Sequence, residues 1–246
     1  MVDLNANILG KVECLEADYN LAIDAVEYAF KKGVREMVVA TKCGVQDVAV
    51  SIEEMEIRLS ILKNKLEKNN IDVKLYLAES IKLSESNIKD CLNGKFGSIN
   101  KSKYMLIDLD ETMTNQQVDM VFELTLIGIV PIIVHPERCK EIIEKISRIE
   151  KLKDLGCLFE LDINSLTGLY GKEIKRIAKQ LLRAKVYNFV ASELNGQLTR
   201  NTRYSYSVLS KSQKDTFKGN GLKVLRDEDI INHIGTTKVK KKLFAV

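Results

Sequence analysis

Polar residues that could do chemistry recur directly after short apolar runs. Asn5 and Asn7 follow the first run, Thr41-Lys42-Cys43 the second and Glu79 the third. His135-Pro136-Glu137-Arg138 follows a later one, and Ser192-Glu193-Leu194-Asn195 the last, with Arg200 close behind. Carboxylates, an imidazole and guanidinium groups gathered at one end of a set of strands suit work on an anionic substrate, because a guanidinium fork matches a tetrahedral oxyanion. Other chemistries find less support. A thiol phosphatase needs an arginine six positions after its cysteine, and none of Cys14, Cys43, Cys91, Cys139 and Cys157 has one. With only His135 and His233 in the chain there is no Ser-His-Asp pattern to argue from. A lone histidine at a strand end is more often held by a backbone carbonyl than by a metal, and Glu79 could equally pair with Arg138 or a lysine.

The elements that must position these residues follow from the hydrophobic pattern. β-branched apolar runs at 2–8, 36–41, 73–79, 104–109, 130–135, 158–163 and 188–192 predict seven buried strands. Helical periodicity fills the intervals. Ile52, Met55, Leu59, Leu62 and Leu66 share one face behind a Ser51/Glu54 box, and Thr114/Gln117 opens a later helix. Gly33, Gly128 and Gly156 stand where helices end before strands. Strict alternation predicts parallel strands with helical crossovers, in an open sheet or a closed barrel. No glycine fingerprint for dinucleotides or phosphate loops is present.

The chain has 246 residues, 38 basic and 34 acidic, with both signs interspersed. One α/β domain over 1–246 is expected, with a basic tail at about 236–246. The balance gives little support for nucleic acid binding and none for membrane insertion. The first fifteen residues contain Asp3 and Glu13 and lack a basic leader before an apolar run, so a cytoplasmic protein is expected. The cysteines, odd in number and without a C-x-x-C pair, are expected to be reduced and mostly buried.

Three segments carry a family resemblance. The run Ile132-Ile133-Val134-His135-Pro136-Glu137-Arg138, the turn Asn164-Ser165-Leu166-Thr167-Gly168 and the strand end Ala191-Ser192 resemble the PHP-type bacterial protein-tyrosine phosphatases of the CpsB/YwqE group, from residue 2 to about 210. The resemblance implies a distorted (β/α)7 barrel of the PHP (polymerase and histidinol phosphatase) type. It also implies a manganese cluster at the strand ends, where Glu79 and His135 match family ligands. Asn5 and Asn7 stand in place of a histidine pair, Cys43 and Asn195 in place of two more histidines, and Glu193 in place of an aspartate. The Asp-Asp-Gly that follows the first motif in the family is missing. A neutral amide is a poor ligand for such metals, so most metal affinity should be lost, and with it the metal-bound hydroxide that attacks phosphate. Arg138 and Arg200 match the family's phosphate-holding arginines.

Three functions are then open. The chain is a catalytically impaired relative that binds a phosphotyrosine protein, such as a tyrosine kinase, in the regulation of capsular or exopolysaccharide synthesis. Alternatively it is an active phosphatase with one ion held by Glu79, His135, Glu193 and Cys43, a set better suited to zinc. The third possibility is a scaffold with no anion site.

Overall fold

In a computed structural model, the residues described are 1–9, 16–43, 51–94, 97–109, 113–194 and 206–230. Seven strands form one parallel sheet in chain order: β1 (Val2–Ala6), β2 (Glu36–Cys43), β3 (Lys74–Lys82), β4 (Tyr104–Asp108), β5 (Val130–Val134), β6 (Leu158–Asp162) and β7 (Phe189–Ala191). Each expected strand is present. The crossover helices include α1 (Glu16–Lys31), α2 (Ile52–Lys68), α3 (Glu85–Leu92), α4 (Asn115–Leu126), α5 (Lys140–Glu144), α6 (Ser147–Asp154), α7 (Ile163–Thr167) and α8 (Lys172–Arg183), and α9 (Lys211–Leu225) follows β7.

The sheet curls until its two edges meet, which resolves the choice between open sheet and barrel. β1 and β7 are joined by Ser192 N–H donating to Asp3 Oδ1 at 3.0 Å and by Glu193 N–H donating to Asn5 O at 3.0 Å. A buried carboxylate thus stands in for part of the last ladder.

Strand alternation sorts the apolar residues into two cores. Val2, Leu4, Val38, Ala40, Leu106, Ile132, Val134, Leu158 and Phe189 fill the barrel, and Met37, Val39, Met105, Ile107, Ile133 and Phe159 pack outward against helices. The same alternation carries Asp108 above Leu106, and Glu160 and Asp162 above Leu158, toward the barrel mouth.

Local sequence explains the helix starts. Ser51 Oγ accepts the Glu54 N–H at 3.2 Å while the Glu54 carboxylate holds Arg58. Thr114 and Gln117 form a reciprocal box at 3.2 and 2.9 Å. Gly128 and Gly156 have φ of +84°, the left-handed turn that ends a helix before the next strand. Cys91, Cys139 and Cys157 are buried free thiols, and burial pushes Cys91 and Cys157 up to about 12, which removes them as nucleophiles.

α9 closes the floor of the barrel. Val224 and Leu225 join the inner core, and Asn220 Nδ2 donates to Asn188 O at 3.0 Å. Gly221 permits this approach, because a Cβ there would lie 2.7 Å from Val2 Cβ. Gly221→Ala should therefore destabilise the fold by about 1–3 kcal/mol through overpacking. Urea unfolding of the variant measures it, and wild-type stability would show that α9 does not seat on Val2.

Candidate functional site

The mouth is built from strand ends and the turns after them. β1 contributes Asn5, helped by an irregularity in its pairing with β2 between Asp3 and Ala6. The Asn5 amide donates to Glu193 Oε1 at 2.7 Å and to Glu160 Oε1 at 3.3 Å. Asn7 Oδ1 is buried with no hydrogen-bond partner among the described residues. β5 ends at Val134, and His135 follows with φ of +35°. Glu193, after β7, has φ of +50°. Left-handed backbone at two non-glycine residues facing one cavity is strain of the kind that collects at functional sites.

His135 Nε2 is buried with no hydrogen-bond partner among the described residues, and faces Asp108 Oδ1 at 3.6 Å and Glu193 Oε1 at 3.8 Å. Burial first, then the Arg138 and Lys42 charges, hold its pKa well below the usual imidazole value, so it is neutral. Arg138 pairs with Asp162, stacks on the Tyr170 ring at 4.1 Å and donates from Nη2 to the Tyr170 hydroxyl at 3.1 Å. Glu79 is buried, and its carboxylate accepts the Gly97 N–H.

Behind this layer lies a rigid support. Glu137 is fully buried, takes the Asp162 N–H at 3.2 Å on Oε1 and the Tyr187 hydroxyl at 3.0 Å on Oε2. Asp162 Oδ1 caps α7 through the Asn164 N–H at 2.8 Å, and Asn164 Nδ2 donates to Ser192 O at 2.6 Å. The His-Pro-Glu-Arg and Asn-Ser-Leu-Thr-Gly segments are thus the cross-links that hold the ends of β5, β6 and β7 in register.

The structure brings together Asn5, His135, Arg138 and Glu193 among the residues singled out from sequence. Cys43 ends β2 opposite Ile81, and its side chain lies outside the described residues. Asn195, Arg200, His233 and the basic tail also lie outside them. Asp108, Glu160, Asp162 and Tyr170 were not anticipated. Their signal was present: the run Leu158-Phe159-Glu160-Leu161-Asp162 places acids at alternate positions, so they share a face with Leu158.

With this geometry in hand, comparison with known proteins is informative. Residues 1–217 match the family described as "Capsular polysaccharide synthesis, CpsB/CapC". The chain belongs to the CpsB/CapC family. CapC of Staphylococcus aureus is 27% identical over 98% of this chain and 98% of its own length. The tyrosine-protein phosphatase YwqE of Bacillus subtilis is 28% identical over 86% of this chain and 84% of its own. The solved structures of YwqE and of CpsB from Streptococcus pneumoniae, described as unique metal-dependent tyrosine phosphatases, share this fold, with a TM-score of 0.83 at 22% identity covering 94% of this chain and 96% of the other. The PHP-type barrel expected from the sequence is therefore the fold observed.

Among the described residues, the donors at the mouth of this CpsB/CapC member do not fit a multinuclear metal cluster. Among the described residues no three His, Cys, Asp or Glu side chains converge as ligands of one ion. The Asn5 nitrogen, which has no lone pair to give a cation, directs its N–H groups at the carboxylate oxygens a cation would need.

Burial raises the proton affinity of these carboxylates. Burial first, then Asp162, raises Glu137 and Glu193 to about 7, and burial raises Asp3 to about 6. Burial and then Glu193 raise Glu160 well above the usual range. Groups that bind protons more tightly when folded stabilise the fold at low pH and lose that advantage as pH rises past the unfolded values, here from about 4 to 7. Stability to urea should therefore fall by on the order of a few kcal/mol between pH 5 and pH 8. Glu137→Gln, which cannot ionise, should flatten that slope, and an unchanged slope would mean that Glu137 is charged in the fold.

Proposed function

We propose that this chain is a catalytically impaired member of the CpsB/CapC family that binds a phosphotyrosine-bearing protein, such as a bacterial tyrosine kinase, in the regulation of capsular or exopolysaccharide synthesis. In this reading residues 1–246 work as one cytoplasmic domain with a basic tail at about 236–246. No helix among the described residues is long and apolar enough to cross a membrane.

The observation that carries the reading is the Asn5 amide between Glu160 and Glu193. Family chemistry relies on divalent metals, manganese by resemblance, to lower the pKa of a bridging water to about 7 and so supply a nucleophile. Among the described residues none supplies a substitute: His135 is neutral and faces Asp108 and Glu193, and the thiols of Cys91, Cys139 and Cys157 are buried, with pKa values raised by that burial. Binding is a separate matter. Arg138, with Arg200, would hold the phosphate, and a dianion must compete with Asp162 for the Arg138 fork. Tyr170 gives the guanidinium a fixed orientation while it does so.

A second reading rests on the unpartnered His135 Nε2. Its distances to Asp108 and Glu193 are too long for hydrogen bonds and leave space for a single ion, which Glu79 and Cys43 could join, as zinc would favour. Metal analysis separates the two. The purified protein should carry substoichiometric manganese, iron or zinc and hydrolyse aryl phosphates barely above background, whereas one tightly held ion with turnover would establish the second reading.

Restoring ligands is the complementary test. Asn5→His, Asn7→His, Cys43→His and Asn195→His with Glu193→Asp should raise manganese affinity and aryl phosphatase activity. A folded variant that fills with manganese and stays inactive would place the defect in the groups that orient the imidazoles. Calorimetry with a phosphotyrosine peptide and its unphosphorylated twin tests binding: the phosphopeptide should bind more tightly, and Arg138→Ala should abolish the difference. Equal binding of the two peptides would leave only a scaffold.

A further inference from the structure

Helix α8 carries its charge differently from α1 and α2. On α1 and α2, cations sit one turn from acids, as in Lys31 with Glu27 and Arg58 with Glu54, each at 2.7 Å. On α8, Lys172, Arg176, Lys179 and Arg183 recur at steps of four, three and four residues, which aligns them in one exposed stripe. Ile177, Ala178 and Leu181 occupy the opposite, buried face. Among the described residues, Lys172, Lys179 and Arg183 form no ion pair, and Arg176 donates to Gln180 at 3.1 Å.

This distribution works against the helix itself. Lys172 lies at the positive end of the helix dipole, after a Gly171 cap that offers no side-chain acceptor. Lys172 with Arg176, and Lys179 with Arg183, are like charges one turn apart, a spacing that destabilises an isolated helix. α2 relieves such repulsion with interleaved glutamates, and α8 has Glu173 alone.

The stripe begins at the barrel mouth. Tyr170, two residues before Lys172, is the ring on which Arg138 stacks. From there the four cations run down the outer wall for about 16 Å, the length of roughly five extended residues. Their rise per step, about 4.5 to 6 Å, is close to the roughly 6.6 Å between same-face side chains of an extended strand.

We infer that α8 is the docking surface for an acidic polypeptide segment adjoining the phosphotyrosine, with the phosphate at Arg138 and alternate carboxylates along Lys172, Arg176, Lys179 and Arg183. The inference rests on the phosphotyrosine-binding reading of the mouth and names what flanks that residue. A polypeptide fits better than a lipid surface because Ile177, Ala178 and Leu181 of α8 are buried against the sheet and none of its large apolar side chains is fully exposed to enter a bilayer.

The test is fluorescence anisotropy of the full chain with four peptides: phosphotyrosine or tyrosine, each flanked by alternating Glu or by Gln. The proteins compared are wild type, the α8 variant Lys172→Glu/Arg176→Glu/Lys179→Glu/Arg183→Glu, and a charge-matched α9 control, Lys211→Glu/Lys214→Glu/Lys218→Glu/Lys223→Glu. The Glu flank should raise phosphopeptide affinity about tenfold at low salt. The gain should vanish in the α8 variant and at high salt, and persist in the α9 control. Glu- and Gln-flanked phosphopeptides binding equally would overturn the docking surface and leave the mouth intact. A Glu gain that needs α8 but is the same without phosphate would sustain the docking surface and overturn the mouth. Loss in the α9 control as large as in the α8 variant, or α8-dependent binding to anionic vesicles without peptide binding, would overturn the proposal. Thermal melting checks folding, and the corresponding four-residue Gln variant replaces the Glu one if charge reversal unfolds the helix.

Discussion

The organising constraint of this molecule is the burial of several carboxylates at one barrel mouth with few positive charges to balance them. Asp108, Glu160, Asp162 and Glu193 gather at this end of the barrel because strand alternation and the turn after β7 put them there, and Glu79 is buried on the same sheet. Buried acids must be paired, hydrogen-bonded or protonated. Metal ions would balance such acids by charge, whereas here balance comes from small contributions. The Asn5 amide spans two carboxylates, Arg138 closes on Asp162, Lys42 lies 3.7 Å from Asp108, and the Gly97 N–H serves Glu79. Burial also shifts Glu137, Glu160 and Glu193 toward their neutral forms, which lowers the charge left to balance.

The backbone around that mouth is held independently of what fills it. His135 and Glu193 keep left-handed conformations, which cost energy in a free chain and persist only where neighbours over-determine them. Glu137 supplies one anchor by gripping the Asp162 N–H, Asn164 supplies another by reaching Ser192 O, and Glu193 N–H bonds across the seam to Asn5 O. These bonds run through Glu137, Asn164 and backbone groups, and none uses the side chain of Asn5 or Asn7. The barrel frame is therefore held by contacts separate from those two side chains.

The extent to which this was legible in the sequence follows from which interactions are local. The seven strands could be read because buried parallel strands are apolar along their length, and the helix starts at Ser51 and Thr114 because capping spans four residues. His-Pro-Glu-Arg located the mouth because a motif after a strand marks a strand end. Closure could not be read, since it depends on Asp3 meeting Ser192 across 189 residues of chain. Nor could the role of Glu160 and Asp162: within an apolar run their charges read as interruptions, and only the barrel's inward row shows that Glu160 meets Asn5 and Asp162 meets Arg138. The pairing of Arg138 with Asp162 is equally illegible, because Asp162 becomes a neighbour only once β6 pairs with β5.

An acidic mouth and a basic outer wall have a joint consequence for affinity. A phosphate entering the mouth meets one guanidinium already committed to Asp162, with Glu137 and Glu193 close enough to shift its proton affinity. Protonation of those acids softens the repulsion but adds little attraction, so the pocket alone supports only weak binding. The α8 cations have the opposite situation: they are solvated and form no ion pair among the described residues. Surface pairs are individually weak, but four in register share one orienting contact at Arg138, which makes their formation intramolecular once the phosphate is seated. On the proposed reading, recognition would shift in this way from the reacting phosphate to the sequence around it, which a binding protein can exploit and a general phosphatase has less reason to.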